Sequence, residues 1–383
     1  MNRRTFLSSS AAGAAWLAGC APRGPGGDGA APLVFVGTYT ENTRSAGVYA
    51  FRADPATGAW TALGATPAGP NPSFLAPHPN GRVLYAVNEV TRLDGEATGA
   101  VRAFAVDRAT GALAALGDAV PTGGGAPCYA SVDATGRLLM VANYVGGSVA
   151  AFPLGADGRV GARSFLDQHA GRGARADRQE APHAHCVLPA PGTRWAVSTD
   201  LGLDRVTVHA LDAAGGTLAP AGAAATRPGA GPRHLAFHPS GRTLYVVNEL
   251  DLTLAALPFD PATGTLGADG AVLPLLAAPA PAGSTAADLH VHPSGRALYA
   301  SVRGDDAIVR FALDAAGRPT WAERTPSGGR RPRSFALDPA GRFLHAANQG
   351  SDSIVTFAVD AAGGLTATGA TVEVPAPVCV IFG

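Results

Sequence analysis

The chain has 383 residues, 46% of them hydrophobic and only 15% charged, so it carries ample apolar material for one large domain or two smaller ones. Its 29 basic residues are all arginine and are balanced by 29 acidic ones. With no basic block and no acidic tail, this argues against a nucleic-acid surface, and without lysine there is no Schiff-base or lysine-nucleophile chemistry.

The 50 glycines and 31 prolines make turns frequent and argue against long helices. Residues 1–20 read as an export signal. NRRTFL (2–7) carries a twin-arginine pair, and the apolar run after it, SSSAAGAAWLAGC, falls short of the ~20 residues of a membrane-spanning helix. The run ends in LAGC, which resembles a lipobox, whose cysteine, here Cys20, is acylated after cleavage; a plain secretory signal is the alternative. The expectation is a periplasmic lipoprotein, exported by the twin-arginine route and touching the membrane only through that lipid. Residues 21–31 read as a flexible tether, and 32–383 as one folded domain.

Within that domain one unit recurs. In chain order its turns are HPNGRVLYAVNE (78–89), DATGRLLMVANY (133–144), a worn PAPGTRWAVSTD (189–200), HPSGRTLYVVNE (238–249), HPSGRALYASVR (292–303) and DPAGRFLHAANQ (338–349). Each is a glycine turn followed by a β-rich run and then a second strand such as GSVAAFPL; an apolar strand such as PCYASV or PRHLAF precedes it. That makes about four strands per unit at the period of propeller blades. The chain ends supply a seventh unit, with LVFVGTYT…GVYAFRAD lacking a first strand that PAPVCVIFG provides. Joining them removes an exposed sheet edge. The prediction is an all-β, seven-bladed propeller closed by pairing N-terminal strands with a C-terminal strand.

Counting back from each turn proline reaches a slot near the start of each first strand: Ser73, Cys128, His185, Arg233, Ala287 and Arg333. Counting forward from each turn glycine reaches Glu89, Tyr144, Asp200, Glu249, Arg303 and Gln349, with the worn turn taken as one residue shorter. A strand's start and its hairpin partner's end share a sheet edge, so both series are expected to ring one mouth of the channel. His185, Arg233, Arg303, Arg333, Asp200 and Glu249 then converge there, a set suited to an anionic or oxygen-rich small molecule. The arginine-rich stretch 171–176 reads as a lid, with Arg178 and Gln179 beside it. His183 and His185 alternate on one strand and share a face, but zinc takes at least three protein ligands and neither His169 nor Asp200 is forced into that part, so no metal is assigned. His78, His238 and His292, in the turns, and Asn88, Asn143, Asn248 and Asn348, at strand ends, read as structural. Cys128, Cys186 and Cys379 read as buried small hydrophobes. No nucleophile-elbow, HExxH or Walker motif occurs.

RQEAPHAH, GPRHLAFHPSGRTLYVVNEL and ALYASVRGDDAIVRFALD resemble the seven-bladed lactonase family, which includes bacterial 6-phosphogluconolactonases and fungal carboxy-cis,cis-muconate cyclases, over about 32–383. The resemblance implies a carboxylic ester hydrolase acting on a sugar lactone, without metal or organic cofactor. It implies an active site of His185, Arg233, Glu249 and Arg333; the mouth series and the arginine-rich lid add His183, Arg178, Gln179, Asp200 and Arg303 as expected substrate-binding residues. 6-Phosphogluconolactone is a cytoplasmic metabolite while this chain carries an export signal, so lactone chemistry is implied without fixing a phosphate. A non-catalytic binding propeller at the cell envelope and the reverse, cyclising direction of the chemistry are the alternatives.

Overall fold

The computed structural model describes residues 31–267 and 270–383. The expected export signal with Cys20, and all but the last residue of the expected tether, lie outside them.

Seven antiparallel sheets of four or five strands are arranged around a channel. Blade 1 joins the chain ends: Pro377–Phe382 pairs with Leu33–Thr38, which leads to Val48–Ala53 and Trp60–Thr66. Blades 2 to 7 follow in chain order, with first strands Leu75–Pro77, Pro127–Val132, Ala184–Pro189, Pro232–Phe237, Thr285–Val291 and Pro332–Leu337. These first strands and Pro377–Phe382 pack against one another and form the inner ring. The predicted fold and its closure are what the structure has.

The burial follows from the layering. A second strand is covered on both faces by the neighbouring blades, so Leu138–Asn143 reads LLMVAN and is buried throughout. A fourth strand faces water, and Leu365–Glu373 is mostly exposed. Apolar clusters fill the gaps between blades, such as Tyr245, Leu254, Leu298 and Phe311 between blades 5 and 6.

The turn histidines tie one blade to the next. In His78, His238 and His292, Nδ1 accepts the backbone N–H two residues on (3.0, 3.2 and 3.1 Å). The proton therefore sits on Nε2, which donates to Gly136 O, Gly295 O and Gly341 O in the following blade (2.9, 3.1 and 2.8 Å). Tyr85 and Tyr299 add a second tie, their hydroxyls donating to Gly158 O and Gly363 O at 2.9 and 2.7 Å. The strand-end asparagines are likewise spent on local bonds, Asn143 to Ser148 and Asn248 to Thr253.

Candidate active site

One irregularity, repeated from blade to blade, builds the site. Where the first strand meets the end of the second, Pro127 pairs with Asn143 and Tyr129 with Ala142, leaving Cys128 without a partner. The same slip leaves out His185 between Ala184 and Cys186, Arg233 between Pro232 and His234, and Arg333 between Pro332 and Ser334. A bulge of this kind breaks the strand's alternation and re-aims one side chain. Four of the six slots counted from the turn prolines are therefore bulge positions.

Cys128, His185 and Arg333 open on a cavity of about 400 Å³. His185, Glu249, Arg303, Arg333 and Arg178 line it, with Glu89, Cys128, Tyr144 and Arg331. Glu249 is the hub, 5% exposed. Its Oε2 faces Arg233 Nε at 2.9 Å and Arg303 NH2 at 3.1 Å, and its Oε1 accepts from Arg178 NH2 at 2.8 Å. Burial alone would raise the Glu249 carboxyl, but Arg303, Arg233 and Arg178 hold it down at about 2. Burial in turn brings the Arg303 guanidinium down to about 9, against the pull of Glu249.

A second carboxylate, Glu89, accepts from the hydroxyls of Tyr39 (2.9 Å) and Ser73. Arg333 NH2 donates to that Tyr39 oxygen at 2.9 Å, with its guanidinium beside the ring. Arg233 lies deeper, 2% exposed, with NH1 donating to Ala287 O and to His234 Nε2. Its NH2 has no partner among the described residues.

Burial, then Arg233, His234 and Arg333, push the His185 imidazole well below its usual range, so it is neutral at neutral pH. Its Nδ1 is 3.7 Å from Cys128 Sγ, while Nε2 has no protein partner among the described residues. A neutral imidazole at a cavity wall, surrounded by guanidinium groups, can take a proton from a nucleophile beside donors fit for an oxyanion.

Three residues nominated from the sequence point elsewhere. Asp200 pairs with Ala184 as Asn248 pairs with Pro232, so it occupies the asparagine position, one short of Glu249. The worn turn is not shorter. Ala190 N bonds Trp195 O just as His238 N bonds Thr243 O, and the glycine has moved one place earlier within a loop of equal length. Counting from Gly192 therefore stopped one residue short, and Leu201 holds the mouth position in blade 4. The Asp200 carboxylate accepts from His183 N, Leu203 N and His169 Nδ1 instead. Gln179 is fully buried, its amide donating to Leu201 O and Asp204, and anchors the arginine-rich loop from below. The His183 ring stacks on Tyr144 and bonds Tyr144 O and Glu180, so it does not converge with His185. Among the described residues no group of three or more His, Cys, Asp and Glu is arranged to hold a metal ion.

Three residues at the mouth were not singled out. Glu89 appeared in the strand-end series without a charged neighbour in sequence to mark it. Tyr39 fills the same position in blade 1, whose repeat is too worn to count. Arg331 precedes the blade 7 bulge, held at φ 56° with its N–H on Asp306.

Residues 33–382 match the family model described as Lactonase, 7-bladed beta-propeller. A 6-phosphogluconolactonase of Bacillus subtilis is 34% identical over 350 residues, 91% of this chain and 97% of the relative. One from Formosa agariphila is 31% identical, covering 80% of this chain and 86% of its own. Among solved structures, the periplasmic gluconolactonase of Pseudomonas aeruginosa superposes with a TM-score of 0.83 at 34% identity, over 92% of this chain and 98% of that one.

Proposed function

Because the chain belongs to the seven-bladed β-propeller lactonase family, we propose that it is an exported lactonase that opens a sugar lactone by water attack at the His185 cavity. The observation that carries this reading is the neutral His185, its Nε2 without a protein partner among the described residues, beside guanidinium groups in a cavity of about 400 Å³.

His185 takes a proton from water as the water oxygen bonds to the lactone carbonyl carbon. The carbonyl becomes an oxyanion met by Arg233 NH2 and Arg303. The ring C–O bond then breaks, and the departing alkoxide takes its proton from the His185 imidazolium. Arg233 and Arg333 disfavour that imidazolium, which speeds its return to neutrality. They also make free His185 a weak base. An anionic substrate group on Arg333 and Arg331 offsets these charges and raises the basicity of His185 when substrate is bound. Glu249 fixes Arg178, Arg233 and Arg303 in register, and Arg178 closes over the cavity. Gln179, His183 and Asp200 enter as supports of that loop and of the blade 4 mouth. The proposed chemistry uses no metal or organic cofactor.

Export by the twin-arginine route and a lipid on Cys20 belong to the same proposal, supported by the signal in residues 1–20 and by the periplasmic neighbour. The substrate is then a lactone outside the cytoplasm. The test follows acid release from glucono-δ-lactone and 6-phosphogluconolactone, corrected for spontaneous opening, in wild type and His185→Ala. Removing a positioned base should lower kcat by about 10²–10⁴-fold with a smaller change in KM. Equal turnover by His185→Ala ends its assignment as base, and preference between the two substrates decides the phosphate question.

A further inference from the structure

Below the cavity the channel continues into a second space of about 470 Å³ toward the opposite mouth, with His234, Asp288 and His290 in its wall. Nothing in the proposed reaction uses these groups, yet they form one hydrogen-bonded chain that ends on Arg233. Asp288 lies in the irregular part of the blade 6 inner strand, where the register slips between Ala286 and Leu289. It is 5% exposed, and its carboxylate is bonded from three blades. Oδ1 accepts from His234 Nδ1 (2.8 Å, blade 5) and Leu289 N (2.9 Å). Oδ2 accepts from His290 Nε2 (3.3 Å) and Phe335 N (3.2 Å, blade 7).

The donors and acceptors fix the His234 tautomer. Arg233 NH1, 3.1 Å from His234 Nε2, can only donate, so Nε2 must be bare. The imidazole proton is then on Nδ1, where Asp288 accepts it. Burial and the neighbouring Arg233 bring His234 down to about 4, so the ring is neutral and holds one proton.

We propose that Asp288 is a positioning residue for this lactonase: by holding the His234 proton on Nδ1 it keeps Nε2 as the acceptor that, with Ala287 O, locks Arg233 and leaves Arg233 NH2 for the oxyanion. The inference rests on the function proposed above. An amide at 288 satisfies only part of this arrangement. With its NH2 toward His234, it moves the ring proton to Nε2, against Arg233 NH1. With its NH2 the other way, it meets Phe335 N–H. The first outcome loosens the guanidinium directly and the second displaces residue 288 from the blade 7 contact that seats it against His234, and neither removes a group from the cavity.

The experiment compares Asp288→Asn, His234→Gln and His234→Phe with wild type, reading lactone kinetics and the ¹⁵N imidazole signals of His234. Wild type should show Nδ1–H. Asp288→Asn should lose that single tautomer and lower kcat about 10–100-fold, with KM changed less than threefold. His234→Gln, whose amide oxygen can accept from Arg233, should keep most of the rate that His234→Phe loses. A wild-type Nε2–H tautomer, or an Asp288→Asn variant with wild-type kcat, overturns the proposal. Should wild type open no lactone, the lactonase reading falls by itself. Binding of 6-phosphogluconate then decides the positioning role: weaker binding by Asp288→Asn upholds it, and unchanged binding overturns it.

Discussion

Replacing Glu249 with Gln keeps the shape of the hub and removes its charge. A carboxyl held at about 2 instead of the ordinary 4.5 carries about 3 kcal/mol in favour of its charged, folded form. Removing one partner of a buried ion pair typically costs about 3–5 kcal/mol, the same range. Arg233 and Arg303, 2% and 6% exposed, would lose their counter-charge, and an amide N–H would oppose one guanidinium. The expected deficit at pH 7 is therefore about 3 kcal/mol, read from urea unfolding midpoints. Its pH dependence has a definite sign. The depressed carboxyl stabilises the fold fully above about pH 4.5, and that stability is lost as pH falls toward 2, by about 1.4 kcal/mol per unit. The gap between wild type and variant should therefore narrow below pH 4.5. Phosphate should stabilise the variant more than wild type, because Arg178 and Arg303 then line the cavity, with Arg233 behind them, without their counter-charge. A variant as stable as wild type at pH 7, or a deficit equal at pH 7 and pH 3.5, would refute the account of Glu249 as the charge that holds the site.

Three further expectations follow from the same geometry. His185, His209, His234 and His345 are buried with lowered proton affinity, whereas His290 is raised. Below pH 6.5 His290 is protonated in both states, so the unfolded chain binds about four more protons than the folded one, and stability should fall by up to about 5 kcal/mol per unit toward pH 5; a urea midpoint unchanged from pH 7 to pH 5 would contradict this. Arg331 lines the cavity with no hydrogen bond to its guanidinium among the described residues, so Arg331→Ala should raise KM for an anionic lactone about tenfold with kcat nearly unchanged, the effect shrinking in high salt. Cys20→Ala should move the protein from the membrane fraction to the soluble fraction without loss of folding; unchanged membrane association would remove the lipid from the proposal.

The repeat was readable because each blade must solve the same problem. A glycine-bearing turn and a strand buried on both faces recur, with a histidine that ties to the next blade or an aspartate that caps its own turn, so the period survives in residues such as His78, His238 and His292. The worn blade 4 shows where that reading ended. The loop conserves its length and its bonds, not the place of its glycine, so a count anchored on Gly192 stopped at Asp200, one residue before the mouth position. His185 was placed soundly because the count to it began from Pro191, which keeps its place. Tyr39 escaped notice because blade 1 has no such turn to count from, its inner strand arriving from the other end of the chain.

By itself the sequence determined the seven-bladed closure, the set of residues near one mouth and their family chemistry, since hydrophobic period and turn composition are local properties. Only the tertiary structure decided which polar side chains face the cavity and which are consumed beneath it. Bulges re-aim single residues, and each bond depends on partners from other blades. Glu249 is charged because guanidinium groups from blades 5 and 6 and from the arginine-rich loop meet it, and His185 is neutral because burial and Arg233 make it so. Asp288, unremarkable in sequence, acquires its partners from three blades at once.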